Sequence, residues 1–202
     1  MTIDTTQLRG QYIYLELLTP EPIPVLRQLA KDKRLWQYTR TLIIDEQYDQ
    51  RFDQYIQTAL EQQASGGQIP FVIRRTGDDA ILGMTRLYFI EPKDKRAAIG
   101  YTWYTPEVWG LPHNKECKLL LLQYLFEVWK LQRVEFHVAH ENLRSQKAVE
   151  KIGGVKEGVL RKYAIQPDGS IRHTVVFSII DEEWEEKKKA LQQLIGQTGA
   201  AK

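Results

Sequence analysis

Two polar segments of this chain stand where a predicted strand gives way to a predicted helix, and such junctions can bind a phosphorylated ligand. The first is the turn from Trp109 to Lys115. Gly110 lets the backbone approach a ligand closely, and Lys115 adds positive charge. The amides of a first helical turn lack partners inside the helix, and the helix dipole adds to their attraction for anions. Because most glycine-containing turns bind nothing, this turn alone predicts a phosphate site only weakly.

The second junction runs from Asn142 to Ser145. Asn142 is a good helix N-cap, and Ser145 follows it in the first turn of the helix. The plain alternative is that Asn142 only caps the helix and that Ser145 is merely a small first-turn residue. The combination of the two junctions favours a ligand site, because their spacing would make the two preceding strands neighbours in one sheet.

Alternation and helical periodicity predict the elements that must position these residues. Strands are predicted at Tyr12–Leu17, Phe71–Arg74, Ile81–Ile90, Ala97–Tyr104, Val134–Val138, Val155–Ile165 and Ile171–Ile180. Helices are predicted at Pro24–Lys31, Glu46–Gln63, Asn114–Lys130, Asn142–Lys151 and Asp181–Gln193. The turns Thr76–Asp79 and Pro167–Gly169 predict hairpins, and Gly153-Gly154 predicts a left-handed helix cap. Hairpins combined with strand–helix units indicate a mixed α+β fold rather than a purely parallel sheet.

The helix from Asn114 to Lys130 shows a single apolar stripe at helical spacing, formed by Cys117, Leu120, Leu121, Tyr124, Leu125 and Val128. The chain as a whole predicts one domain over residues 1–184, followed by a charged C-terminal helix and tail at 185–202. That helix could pair with a second copy, so a homodimer is one open interpretation of the tail.

Composition excludes several classes of protein. The 202 residues are 43% apolar and 27% charged with a net charge of +2, which is typical of one globular domain and gives no electrostatic footprint for nucleic acid. The block Leu119–Leu122 is far shorter than the roughly 20 residues of a membrane span. The first nine residues lack an apolar signal core, and Cys117 is the single cysteine, so we expect a cytoplasmic protein. The four histidines lack the spacing of a zinc site, and we expect no metal.

A series of spaced matches identifies a family. They are Ile99-Gly100-Tyr101, Trp109-Gly110, Asn114-Lys115-Glu116, Lys118–Leu122, Arg133-Val134, Asn142–Ser145, Ala148–Gly153, Glu157-Gly158 and Leu160-Arg161. Their order, held from about Leu8 to Trp184, resembles the GNAT N-acetyltransferase superfamily and specifically its RimJ/RimL-like (ribosomal-protein-alanine acetyltransferase) branch. The resemblance implies a strongly twisted seven-stranded mixed sheet with a central V-shaped splay, flanked by about four helices plus a C-terminal helix. It also implies acetyl-CoA as the co-substrate and a primary amine as the acceptor.

The resemblance further assigns residues to the cofactor. Backbone groups at Trp103, Tyr104 and Thr105 would hold the acetyl and pantetheine portion. The turn would hold the pyrophosphate through Trp109, Gly110, Leu111, His113, Asn114 and Lys115. Asn142 would contact the pantetheine path, and Ser145 would lie near the thioester sulfur and donate a proton to it. Two residues depart from the family pattern: Pro112 replaces a glycine and lacks a backbone donor, and Ala98 replaces a common glutamate.

The identity of the base is left open by the sequence. Glu91 ends a strand and could take the amine proton through water, although a solvated carboxylate in a hairpin turn is the simpler interpretation. His137 and His140 flank the end of the strand before Asn142 and could relay a proton. Some aromatic residues could line an acceptor groove or could pack in the core; these are Trp36, Tyr38, Tyr88, Trp103, Tyr104 and Tyr163.

The leading prediction is therefore an acetyl-CoA-dependent N-acetyltransferase that acts by direct transfer in a ternary complex. The acceptor amine could be a protein N-terminus or a small molecule, and we expect neither nucleic acid nor membrane as a partner. The alternative is an acyl-CoA-binding or sensing module without turnover, which Pro112 and Ala98 would favour. An α+β scaffold of unrelated function is the third interpretation.

Overall fold

Seven strands form one mixed sheet in the computed structural model, which describes residues 3–38, 41–166 and 168–200. The strands are β1 Ile13–Leu17, β2 Ile69–Arg75, β3 Ile81–Glu91, β4 Arg96–Tyr104, β5 Arg133–Ala139, β6 Val155–Ile165 and β7 Ile171–Ile180. Their order across the sheet is β1-β2-β3-β4-β5-β7-β6. Only the β4–β5 pair among the described strands is parallel. Pro167 of the last predicted hairpin turn and residues 201–202 of the predicted tail lie outside the described residues.

The centre of the sheet opens between β4 and β5. These strands pair only at Arg96–Ala98 with Arg133–Glu135. Beyond Ala98 and Glu135 the two strands continue without pairing to each other. On their outer sides, β4 remains paired with β3, and β5 remains paired with β7. The sheet therefore has a V-shaped splay at its middle, as the family resemblance predicted.

A bulge in β4 accompanies this opening. Arg86 pairs with Gly100 and Met84 pairs with Trp103, so one residue of β3 faces two residues of β4. Tyr101, within the bulge, has φ +51°, a left-handed conformation that a bulky residue adopts only under local constraint. A bulge bends its strand and increases its twist, which turns the end of β4 away from β5.

Five α-helices cover the two faces of the sheet in the described part of the chain: α1 Ile23–Leu29, α2 Tyr48–Ala64, α3 His113–Gln123, α4 Leu143–Lys151 and α5 Asp181–Ala200. Helices α1 and α2 bury Leu26, Phe52 and Ile56 against one face, together with Trp103 of β4. Helices α3, α4 and α5 contribute to the core on the other face, which contains Cys117, Leu121, Val149, Trp184, Leu191 and Ile195. The sequence-based fold class, α+β with a mixed seven-stranded sheet, is confirmed.

The predicted helix from Asn114 to Lys130 differs from a straight α-helix. After Gln123 it continues as a π-helical turn, Tyr124–Val128, in which the Trp129 N–H donates to the Tyr124 carbonyl at 3.1 Å. The extra residue in this turn rotates the following side chains around the axis. Val128, predicted on the apolar stripe, is consequently exposed. The last helix is also longer than predicted, since α5 extends to Ala200.

Candidate active site

A cavity of about 420 Å³ passes through the sheet at the splay. Its lining includes Phe136 and Val138, which point toward the α3 face, and also His137, which points the opposite way on the same strand. It likewise joins Asn114 of α3 to Tyr55 of α2, on opposite faces of the sheet. The splay thus allows one ligand to enter from each face and the two to meet inside the sheet.

The turn before α3 is open toward this cavity. Trp109, Gly110 and Asn114 line it, and the Trp109 indole N–H donates to the Tyr104 carbonyl at 2.9 Å, which fixes the turn to the end of β4. Gly110 has φ +79°, and a Cβ at this residue would meet no atom within 4 Å. The first hydrogen bond inside α3 runs from the Glu116 N–H to the Pro112 carbonyl at 2.9 Å. The N-terminal end of α3, which includes Asn114, therefore lies at the cavity, and the helix dipole there favours an anion.

Other residues predicted in this turn lie away from the cavity. Leu111 packs on the core, and His113 is buried with its ring 6.0 Å from that of Tyr12. Lys115 does not line the cavity itself; burial and then the neighbouring charge of Lys151 lower the pKa of Lys115. Two ammonium groups so placed favour an anion near them. Pro112 occupies the N-cap position, where it supplies no backbone donor.

Of the predicted β4 residues, Trp103 and Tyr104 line the cavity. The Trp103 ring faces α2 and lies 5.9 Å from the Trp36 ring, whereas Tyr104 belongs to the core on the α3 face. The Thr105 N–H donates to the Leu82 carbonyl at 2.8 Å. In this arrangement Thr105 has no backbone donor left for a cofactor.

The start of α4 brings the second predicted segment to the same cavity. Asn142 accepts a hydrogen bond from the Ser145 N–H at 3.0 Å, which confirms the N-cap, and both side chains line the cavity. Arg144 was not singled out from the sequence. Its guanidinium lies 4.1 Å from the centre of the Trp109 ring and so connects the α4 start to the turn before α3. On the α3 side, the cavity therefore lies between two helix N-termini, and Arg144 connects them by its contact with Trp109.

A buried lysine also lines this side. Lys118 donates through Nζ to the Thr102 hydroxyl at 2.9 Å and is only 6% exposed. Burial lowers the pKa of Lys118 below its ordinary value. Helical periodicity places Lys118 on α3, but no pattern in the sequence indicates that its ammonium lies inside the sheet.

The opposite side of the cavity is aromatic. Among the predicted aromatics, Trp36, Tyr88 and Tyr163 line it, and Tyr38 does not. Further lining residues on this side, missed from the sequence, are Tyr55, Phe89, Tyr101 and Arg172. Arg172 donates to the His137 carbonyl at 3.2 Å and to the Thr174 hydroxyl at 3.1 Å. None of the described lining residues carries a carboxylate.

The candidate carboxylate base and the candidate histidines lie in different places. Glu91 is exposed. It lies opposite Arg96 in the β3–β4 strand pairing, at the end of β4 where β4 and β5 are still paired, and it does not line the cavity. His140 is exposed with its ring 4.9 Å from that of His173, also outside the lining. His137 alone among the histidines of the described chain lines the cavity.

Comparison with known proteins assigns this architecture. The family model described as "Acetyltransferase (GNAT) domain" matches residues 13–155, more than half of the chain. The chain belongs to the GNAT acetyltransferase family. The family match confirms the expected class of enzyme, an N-acetyltransferase.

Several GNAT relatives resemble this chain over different lengths. The "Putative ribosomal N-acetyltransferase YdaF" of Bacillus subtilis is 31% identical over 111 residues, 55% of this chain and 60% of that protein, so less than two thirds of its length is matched. A crystal structure of a "putative acetyltransferase" from T. thermophilus is 31% identical, with a TM-score of 0.81 over 93% of this chain and 96% of that one. The Vibrio cholerae spermidine N-acetyltransferase, in complex with CoA and spermine, is 19% identical and shares the fold, with a TM-score of 0.70 over 86% of this chain and 98% of that one. The ribosomal name accords with the branch expected from the sequence.

Two further observations concern the described part of this GNAT chain. It contains no cluster of three or more histidine, cysteine or acidic side chains arranged to hold a metal ion. None of its helices has the length and apolar character needed to cross a membrane.

Proposed function

We propose that this protein transfers an acetyl group from acetyl-CoA directly to a primary amine, with both substrates bound at once. One observation carries the proposal: one continuous cavity passes through the splay. Its lining is polar and positively charged on one face of the sheet and aromatic on the other. Two substrates that enter from opposite faces can meet without exchanging places, and holding reactants together replaces a bimolecular encounter by a positioned one.

The residues on the α3 face fit the phosphorylated co-substrate. Gly110 leaves space for a phosphate beside the backbone, and the positive end of the α3 dipole lies next to it. Arg144 and Lys115 add positive charge at the two helix starts, which offsets the donor that Pro112 lacks. Acetyl-CoA supplies the acetyl group as a thioester. Ser145, which lines the cavity at the start of α4, donates a proton toward the departing sulfur.

The aromatic face supports an acceptor class. A polyamine requires carboxylates to pair its several ammonium groups, and no described lining residue offers one. Arg172 instead presents a guanidinium, whose Nη1 has no acceptor among the described residues. A guanidinium recognises a carbonyl or carboxylate. We therefore infer that the acceptor is a monoamine with such a group beside it, as in a peptide N-terminus or an α-amino acid.

A non-catalytic acyl-CoA-binding module is the second candidate, and Pro112 and Ala98 are the residues that favour it. Calorimetric titration with acetyl-CoA, and with CoA for comparison, tests the cofactor site. Thiol release from acetyl-CoA is then measured with alaninamide, an alanine-initiated hexapeptide, phenylalanine and spermidine. Release with the first three and little with spermidine supports the proposal. Binding without release would favour the module, and no binding of either ligand would refute both.

A further inference from the structure

The carboxylate that this chain lacks at Ala98 is present on the adjacent strand. Ala98 pairs directly with Glu135, the last pair before β4 and β5 separate. Glu135 is 14% exposed at its side chain and lies at the point of the V. A carboxylate is therefore retained at this level of the sheet, although on β5 rather than β4.

Glu135 is held by two guanidinium groups and one imidazole. Its Oε1 accepts from Arg133 Nε at 2.8 Å, with Arg96 Nη1 at 3.9 Å. Its Oε2 lies 2.8 Å from His137 Nε2. Burial raises the pKa of this carboxyl, but the hydrogen bonds from Arg133 and His137 outweigh burial and leave the pKa below its ordinary value. Glu135 is thus an anion fixed in place, which makes Nε2 of His137 the donor nitrogen.

The other nitrogen of His137 is left for the cavity. Nδ1 has no hydrogen-bond partner among the described residues, and the side chain, 10% exposed, lines the cavity. Rings from β3 and β6, the strands one beyond the neighbours of β5 on each side, surround the imidazole: Tyr88 at 6.0 Å, Phe89 at 5.5 Å and Tyr163 at 6.1 Å between centres. With the proton on Nε2, Nδ1 carries a lone pair directed into the acceptor side.

We propose that His137 is the base of the reaction, accepting the proton of the acceptor amine at Nδ1, and that Glu135 is the residue that positions it. The inference rests on the proposed acetyl transfer. As the bond from the amine nitrogen to the acetyl carbon forms and the carbon–sulfur bond breaks, the amine proton passes to Nδ1. The departing sulfur takes the proton of the Ser145 hydroxyl. His137 then releases the amine proton to solvent, and solvent returns a proton to the Ser145 oxygen.

The proposal predicts a pH dependence, because a protonated imidazole cannot accept a proton. The titratable or charged groups that face His137, directly or through Glu135, come from β3, β4, β5, β6 and β7; they are Tyr88, Arg96, Arg133, Glu135, Tyr163 and Arg172. Burial and the nearby Tyr101 hydroxyl raise the pKa of Tyr88, so that phenol stays neutral across the range in which activity is measured.

The test compares His137→Gln with the matched control His140→Gln, an exposed histidine at the end of the same strand. Thiol release is measured from pH 5 to pH 9 with saturating acetyl-CoA and the most active acceptor among alaninamide, the hexapeptide and phenylalanine. For His137→Gln we expect kcat to fall by about 100-fold or more, the acidic limb of the pH profile to disappear, and the acetyl-CoA Kd to stay within twofold. The control should behave as the wild type.

A second readout needs no acceptor. Imidazole ¹⁵N spectra of the wild type should show His137 with its proton on Nε2, and Glu135→Leu should abolish that preference. A proton found on Nδ1, or a His137→Gln variant with unchanged kcat and pH profile, would overturn the role of His137 while leaving acetyl transfer intact. If the wild type released no thiol with any amine, the proposed function would fail and this proposal with it.

Discussion

Replacing Glu116 tests how the start of α3 is held where the cofactor is proposed to bind. The Glu116 carboxylate, only 5% exposed, accepts three backbone N–H groups at the start of β1: Gln11 at 2.8 Å, Tyr12 at 2.7 Å and Ile13 at 2.8 Å. A Cβ added at Gly10 would lie 2.4 Å from Glu116 Cδ, so the chain passes the carboxylate closely. The carboxylate therefore ties the first strand to the first turn of α3.

The expected magnitude follows from these bonds. Hydrogen bonds to a charged group contribute roughly 1.5–3 kcal/mol each, and a buried N–H without an acceptor costs about 1–3 kcal/mol. Gln11 is exposed, so its backbone N–H can donate to water instead, whereas Ile13 is fully buried and its N–H cannot. We therefore expect Glu116→Ala to lower the free energy of unfolding by about 3–5 kcal/mol, and Tm by roughly 6–20 °C for a protein of this size.

Urea denaturation of Glu116→Ala, Glu116→Gln and the control Glu185→Ala measures this effect. Glu116→Gln keeps one acceptor oxygen and should lose less than Glu116→Ala. Glu185 is exposed on α5, and its replacement should change stability by no more than about 0.5 kcal/mol. A loss below about 1 kcal/mol for Glu116→Ala would show that water replaces all three bonds, and the inferred role of Glu116 would be refuted.

Three further predictions follow from single contacts. Ser145→Ala should lower kcat by roughly 100-fold while the acetyl-CoA Kd stays within twofold; unchanged turnover would remove this hydroxyl from the mechanism. Gly110→Val places a β-branched residue at φ +79°, which costs about 1–2 kcal/mol, and calorimetry should show acetyl-CoA binding weakened about tenfold; an unaltered Kd would place the phosphates elsewhere. Hydrogen bonding from Arg133 lowers the pKa of Glu157 to about 2, so its stabilisation is present above the ordinary value of about 4.5 and is lost as pH falls toward 2. Glu157→Gln should therefore show a smaller drop in Tm than the wild type between pH 5 and pH 2, and an equal drop would contradict the assignment.

Features carried by local sequence could be predicted. Asn142 was expected to cap α4 and does so, because an N-cap depends on one side chain and an amide three residues on. Gly153 was expected in a left-handed cap and has φ +92°. The parallel neighbours β4 and β5 were inferred from two strand–helix units and are paired. The two caps depend on residues close together in the chain, whereas the β4–β5 pairing joins distant residues and was predicted from the order of the strand–helix units.

Features that depend on packing across the sheet could not be predicted. Arg172 reaches the cavity only because β7 pairs with β5, a contact between residues far apart in the chain. Glu91 looked suitable as a base by its position at a strand end, but that end lies away from the splay. Val128 left the apolar stripe because of a π-helical turn that the periodicity of the sequence does not reveal. Arg144 had a visible position in a polar segment, yet its contact with Trp109 arises from tertiary structure.

The same opening that creates the cavity leaves two strand edges with which the proposed co-substrate could pair. Beyond Ala98 and Glu135, β4 and β5 each keep one partner strand and present the other edge to the V. Buried backbone N–H and C=O groups need partners, and an open strand edge inside a sheet is an unstable arrangement unless something pairs with it. A ligand with amide groups along an extended arm, inserted between the two strands, would supply those partners from one side. If the proposed function holds, the bulge at Tyr101 serves it: by bending β4 away it gives up strand pairing at the centre of the sheet and leaves edges that the amide-bearing arm of acetyl-CoA would pair with.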